Sequence, residues 1–131
     1  MLGEFQQSQI RIEVRASGQH IAKALTHFSQ LRQWLTPQHF GPGLPETLTQ
    51  GLVFKTTIGP VAIDHQVDFL ADNAVRLLLS QAVDGFHEWY WGEGWVQSRL
   101  EGISPLPLNF AHTINLWRLR YFLESGTVKL Y

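Results

Sequence analysis

Apolar and polar residues alternate along the first patterned stretch of the chain. Ile10, Ile12 and Val14 are separated by Arg11, Glu13 and Arg15, the period of a strand with one buried face. This predicts a strand over 8–16, ended by Ser17-Gly18, with Ser17 placed to cap a following helix. The period then changes: Ile21, Ala24, Leu25 and Phe28 share one helical face over 19–28. A second short helix begins at Ser29 and carries Leu31, Trp34 and Leu35 until Pro37 stops it. Residues 36–45 contain Pro37, Gly41, Pro42, Gly43 and Pro45 and form the longest predicted loop.

Turn signals then recur at short intervals: Gln50-Gly51, Gly59-Pro60, Ala71-Asp72-Asn73, Asp84-Gly85 and Gly92-Glu93-Gly94. Such spacing predicts an antiparallel meander, with strands over 45–49, 52–58, 61–69, 74–81, 86–91 and 95–103. Closing each turn sets a register. Gly59-Pro60 pairs Thr56 with Ile63 and Phe54 with His65, and sets Lys55 across from Asp64. A three-residue loop at 71–73 pairs Phe69 with Val75, Val67 with Leu77 and His65 with Leu79, with Asp68 opposite Arg76. Asp84-Gly85 as a tight turn pairs Gln81 with Glu88 and Leu79 with Tyr90. The Gly-Glu-Gly loop pairs Trp91 with Trp95 and Glu88 with Ser98. One face stays mostly apolar throughout, and a slip by one residue would invert a strand.

The last element follows Ser104-Pro105-Leu106-Pro107. Asn109 is placed to cap a helix over 110–124 that Ser125-Gly126 ends. Phe110, Ile114, Trp117 and Tyr121 form one stripe, and Leu116, Leu119 and Leu123 widen it past half the circumference. Such a helix needs cover on two sides. The fold class is therefore α+β: a curved antiparallel sheet of six to seven strands wrapped around a long C-terminal helix, with two short helices after the first strand.

This order resembles the helix-grip fold of the START-like (SRPBCC) superfamily, which includes polyketide cyclase/dehydratase-like proteins. The likeness rests on the order of elements, on Gln19–Thr36 ending in Trp34-Leu35-Thr36-Pro37, and on Gly51-Leu52-Val53-Phe54 opening the meander. It implies a single domain over 1–131 with its core at about 8–124. It also implies a cavity for a hydrophobic small molecule between sheet and long helix. Some members are cyclases or dehydratases; others carry lipids or bind partners. No catalytic motif of a subfamily is visible, so the resemblance transfers no catalytic residue.

Composition narrows the classes. The chain has 131 residues, 44% of them hydrophobic, enough for one core. A formal charge of −1 gives no electrostatic case for nucleic acid. The absence of cysteine excludes a disulfide scaffold, a thiolate nucleophile and a Cys-based zinc site. No leader-like apolar segment or membrane-length apolar run is present, which makes the cytoplasm the expected location. The six histidines show no metal-ligand spacing, so neither a metal nor another cofactor is expected. His87 and Glu88 point to opposite faces of one strand.

Candidate chemistry lies on the predicted inner face. Thr56, Gln81, Glu88 and Ser98 fall in one layer, His65 and Tyr90 in the next. Glu88 or His65 would orient a polar group of a ligand or, in an enzyme, act as general acid/base; alternatively these residues form a structural network. Phe54, Leu77, Leu79 and Tyr90 would wall one side of the cavity, and Phe110, Ile114, Trp117 and Tyr121 the other. Trp89, Trp91 and Trp95, joined by Leu78, point outward in this register and predict a patch through which the chain would form a homodimer. A bulge would instead turn the tryptophans inward. The readings are thus a binding module for an apolar or aromatic (lipid- or polyketide-like) molecule, a cyclase/dehydratase-type enzyme, or an interaction module. A cavity of about 300 Å³ or more would favour a ligand of that kind, and a filled interior the last reading.

Overall fold

The computed structural model describes the backbone of residues 3–128 and side chains up to 125; positions 1–2 and 129–131 of the expected domain lie outside the described residues. The elements are β1 (Glu4–Glu13), α1 (Gly18–Thr26), α2 (Phe28–Trp34), β2 (His39–Phe40), β3 (Val53–Ile58), β4 (Val61–Ala71), β5 (Ala74–Gln81), β6 (Asp84–Gly92), β7 (Trp95–Ser104) and α3 (Leu108–Val128). Among the described residues seven strands form one antiparallel sheet, in the order β1-β7-β6-β5-β4-β3-β2. The protein is α+β, with the helix-grip arrangement: α3 lies against the sheet, and α1 and α2 close the same side.

The Ser17 cap is in place, its hydroxyl accepting from the His20 amide at 3.1 Å. The β3–β4 register matches the expectation, with Phe54 opposite His65 and Thr56 opposite Ile63. Both outer-face ion pairs are present, Lys55–Asp64 at 3.4 Å and Arg76–Asp68 at 3.8 Å.

Other expectations are corrected. β1 starts earlier, because it pairs with β7 from Glu4↔Ser104 to Glu13↔Trp95. The segment 45–49 is no sheet strand; Thr47 makes an isolated bridge to His27, between α1 and α2. The predicted loop instead contributes β2 to the sheet edge. The β4–β5 turn has two residues, Asp72-Asn73, and an irregularity between Val67 and Phe69 sets Phe69 opposite Arg76 rather than Val75.

The largest correction concerns β6. Asp84-Gly85 is not a turn: both residues are inside the strand, paired with Ile103 and Gly102. Gln81, with φ 77°, opens the bend three residues earlier. Arg76 therefore opposes Glu88, and Leu77 opposes His87. Predicted partners were numbered five higher in sum, an odd slip, so β6 is inverted. The β6–β7 turn is Glu93-Gly94, another odd slip of one, with Trp89 opposite Ser98. The two slips cancel, and β7 shows its expected face: Val96, Ser98 and Leu100 are buried.

α3 begins at Leu108 and runs through Gly126. It faces the sheet with Leu108, His112, Leu116, Leu119 and Leu123, all buried, and turns Phe110, Trp117 and Tyr121 to the outside. The two corrections are linked. With β6 inverted, Trp89 and Trp91 fill the concave side at 4% and 2% exposure, leaving room there for leucines rather than further large aromatics.

Candidate functional site

The inner face of the sheet carries a buried polar cluster at its centre. Ser98 Oγ donates to the Glu88 carbonyl at 3.0 Å. It also contacts His87 Nε2 at 3.1 Å and His112 Nε2 at 2.8 Å. A hydroxyl has one proton and two lone pairs. With the proton on the carbonyl, both imidazoles must donate to Ser98, which fixes them as Nε2–H tautomers. His112 Nδ1 is then an acceptor for the Ser8 hydroxyl, 2.7 Å away. Burial holds His112 neutral, its pKa pushed down to about 4. His87 is also held well below its ordinary value, by burial and then by the neighbouring His112 and His65.

Beside this cluster lies a small interior cavity of about 50 Å³. The sheet lines it with Phe40, Phe54, Thr56, His65, Leu77, His87 and Trp89, α2 and the segment after it with Trp34 and Gln38, and α3 with Asn115. Trp34 is fixed by its indole N–H on the Ala24 carbonyl at 2.8 Å and by edge-on packing against Trp89 at 5.8 Å. The volume is room for about three or four waters. It falls well short of the roughly 300 Å³ that would suit a lipid- or polyketide-sized guest.

His65 is one of the polar side chains lining this cavity. Its ring stacks on Phe54 with centroids 4.7 Å apart, and its Nε2 meets the Thr56 hydroxyl at 2.9 Å. Its Nδ1 is buried without a protein partner, as is Gln38 Oε1. Desolvation lowers its pKa to about 4 although Asp64 pulls the other way. A neutral imidazole can donate or accept through the unpartnered nitrogen, depending on which nitrogen holds the proton.

The structure brings together Phe54, Thr56, His65 and Leu77 around the cavity, with Leu79 and Ser98 buried on the same face. It separates the rest. Gln81 is exposed at the bend. Glu88 and Tyr90 are on the outer face, because β6 is inverted. The Glu88 carboxylate takes hydrogen bonds from Arg76 at 2.8 and 3.2 Å and from the Tyr90 hydroxyl at 2.9 Å. Burial pushes that carboxyl up, but these bonds together outweigh it, and it sits below its ordinary range. Phe110, Trp117 and Tyr121 line no interior wall, and Ile114 is half-buried on their side. The outward tryptophan patch does not exist: Trp89 and Trp91 are core residues, Trp95 is half-buried with Arg11 stacked on it at 4.4 Å, and Leu78 is exposed without them. The homodimer expected through that patch loses its basis. His87, His112, Gln38 and Asn115 were not among the expected site residues. His112 was legible, lying in the run Leu108, His112, Leu116, Leu119 and Leu123.

A second, larger concavity lies outside α3, between it and α2. It measures about 870 Å³ and includes Trp34, Ile114, Trp117 and Tyr121 in its lining. Trp34 borders both spaces. The described residues contain no group of three or more metal-ligating side chains, and no described helix is long and apolar enough to cross a membrane.

No family model and no curated protein matches the sequence. Solved structures match it in fold. DynU16, a protein of the dynemicin biosynthetic locus, superposes with a TM-score of 0.69 at 18% identity over 92% of this chain. The likeness is one of fold. This chain spans about half, 48%, of DynU16. The Aha1 dimer from Colwellia psychrerythraea gives 0.63 at 20% identity, covering 92% of this chain and 98% of that one. CV1439 from Chromobacterium violaceum gives 0.71 at 13% identity, over 90% and 96%. These proteins share the sheet-and-helix frame that a helix-grip description implies.

Proposed function

We propose that this protein binds a compact, largely apolar small molecule in the interior cavity, through one hydrogen-bonding group that meets His65. The observation that carries the reading is the unpartnered His65 Nδ1, buried beside an otherwise mostly apolar chamber and joined there by the unpartnered Gln38 Oε1. A buried polar atom without a partner costs about 1–3 kcal/mol, and a guest that satisfies both groups recovers that loss. The cavity volume restricts the guest to a few heavy atoms in the closed form. A larger ring enters only if the segment bearing Leu35, Gln38, Phe40 and Leu48 moves. Its prolines and glycines and its two-residue strand make it the least regular cover over the chamber.

An acid/base enzyme using Glu88 draws no support, since that carboxylate is paired with Arg76 on the opposite face. His65 keeps the geometry of a hydrogen-bonding anchor. The test is native mass spectrometry of protein purified from its own host, alongside NMR titration with isopropanol and acetamide, which suit the closed cavity, and with phenol, which needs the covering segment to move. A co-purifying molecule that the His65→Leu variant fails to retain, or probe-induced shifts centred on the His65 ring, would support the reading. Bare protein mass together with an unperturbed His65 ring under all three probes at millimolar concentration would overturn it.

A further inference from the structure

α3 carries two apolar stripes, and the sheet covers one. The inner stripe, from Leu108 to Leu123, is buried. The outer stripe consists of Phe110, Ile114, Trp117 and Tyr121, spaced four, three and four residues apart. That is the alternation of a helix seam made to receive another helix. Phe110, Trp117 and Tyr121 are 66%, 67% and 77% exposed. The fold does not need them, because the leucine stripe already anchors α3. Contiguous exposed aromatic surface of this kind marks an interaction site.

Charge narrows the occupant. Among the described residues, the groove beside the stripe is lined by Arg15, Arg118 and Arg120 against one acidic side chain, Glu124. Glu124 pairs with Arg15 at 3.9 Å. Arg118 donates to the Thr36 hydroxyl at 2.7 Å and Arg120 to the Glu13 carbonyl at 3.0 Å. Both acceptors are neutral, so these two bonds orient the guanidinium groups without cancelling their charge. Arg118 and Arg120 flank Trp117, at the positions that select partners in a helix seam. Two copies of α3 packed on one another would bring four arginines to a single seam, which like-charge repulsion opposes.

We propose that the outer face of α3, with the adjoining groove against α2, docks an acidic amphipathic helix of a partner protein. Its apolar side chains, at heptad spacing, would pack on Ile114, Trp117 and Tyr121, and its flanking carboxylates would meet Arg118 and Arg120. This inference is independent of the interior cavity.

The test uses the full chain and two synthetic amphipathic peptides, each with leucines at heptad spacing, one flanked by glutamates and one by lysines. Titration is followed by NMR. The glutamate peptide should shift Ile114, Trp117 and Tyr121 and bind at least about tenfold more tightly than the lysine peptide. Trp117→Ala, at an exposed site outside the core, should fold normally and lose about tenfold in affinity. Arg118→Glu combined with Arg120→Glu should reverse the preference between peptides. Equal binding of both peptides, or shifts located elsewhere, would overturn the proposal. So would a dimer in sedimentation that Trp117→Ala dissolves, or retention on phosphatidylglycerol vesicles without response to the glutamate peptide.

Discussion

Ser98 has every hydrogen-bonding site committed, one proton to the Glu88 carbonyl and two lone pairs to His87 and His112. Ser98→Ala would strand two buried imidazole N–H groups and a carbonyl, and should destabilise the protein by at least about 2 kcal/mol in urea denaturation. An unchanged midpoint would contradict the assigned tautomers. The histidines also set a pH dependence. Unfolded, His65 and His112 titrate near 6.5; folded, near 4. Between those values the unfolded chain binds more protons, so stability is full above the window and falls as pH drops through it. From pH 7 to pH 5 each ring should cost on the order of 2 kcal/mol, and His112→Gln should flatten the profile by its share. Glu88 contributes separately and at lower pH: its depressed carboxyl adds stability above the ordinary carboxylate range, lost as pH falls below that range. Sequence reasoning identified Ser98 and His65 as inward and polar. It missed His112 because a polar residue inside a leucine stripe reads as an interruption of the stripe, when here it is the part of α3 that meets the sheet.

Strand β6 shows why some elements were harder to read than others. Asp-Gly is a strong turn signal, but Gly85 serves a different purpose. A Cβ there would come 1.9 Å from the Glu101 carbonyl oxygen, and one on Gly102 would come 2.6 Å from that of Asp84. The two glycines face each other where the β6 and β7 backbones press together. Gly85→Ala should therefore cost more than about 2 kcal/mol, or prevent folding, whereas Gln81→Gly, at φ 77°, should be neutral or stabilise by up to about 1 kcal/mol. Thermal denaturation of the pair separates a close-approach glycine from a turn glycine; the reverse order would restore the Asp84-Gly85 turn. Hydrophobic alternation located β6 but could not orient it: Phe86, Trp89, Tyr90 and Trp91 are apolar on both parities, so only the turn decided the face. α3 had the same ambiguity, with apolar residues around most of its circumference. Leu119→Ala should cost about 2–5 kcal/mol, and Trp117→Ala within about 0.5 kcal/mol of nothing; comparable losses would mean the helix is rolled the other way.

At the scale of the molecule, the two ends of the chain hold each other. β1 pairs with β7 over its whole length, and it bridges the start and the far half of α3. The Gln6 amide donates to the Ser104 and Leu106 carbonyls at 3.0 and 2.7 Å, and its oxygen accepts from the Leu108 amide at 3.0 Å. A side chain about a hundred residues away thus satisfies the first turn of α3, where Asn109 was expected to provide the cap. No local pattern could have revealed it, since a capping signal is read from neighbours in sequence. At the other end of β1, the Arg15 amide donates to Glu124 at 2.9 Å and Arg120 reaches the Glu13 carbonyl. β1 is an edge strand, and edge strands open first unless tied down. If these ties make β1 and α3 one cooperative unit, Gln6→Ala should lower stability by about 1–3 kcal/mol and reduce amide exchange protection together in β1 and the first turns of α3. Loss confined to residues near Gln6, with α3 unchanged, would show instead that the helix is held by its leucine stripe alone. In that case the rigid frame behind the cavity would be the sheet and Leu108–Leu123 packing, and the chain ends would only seal it.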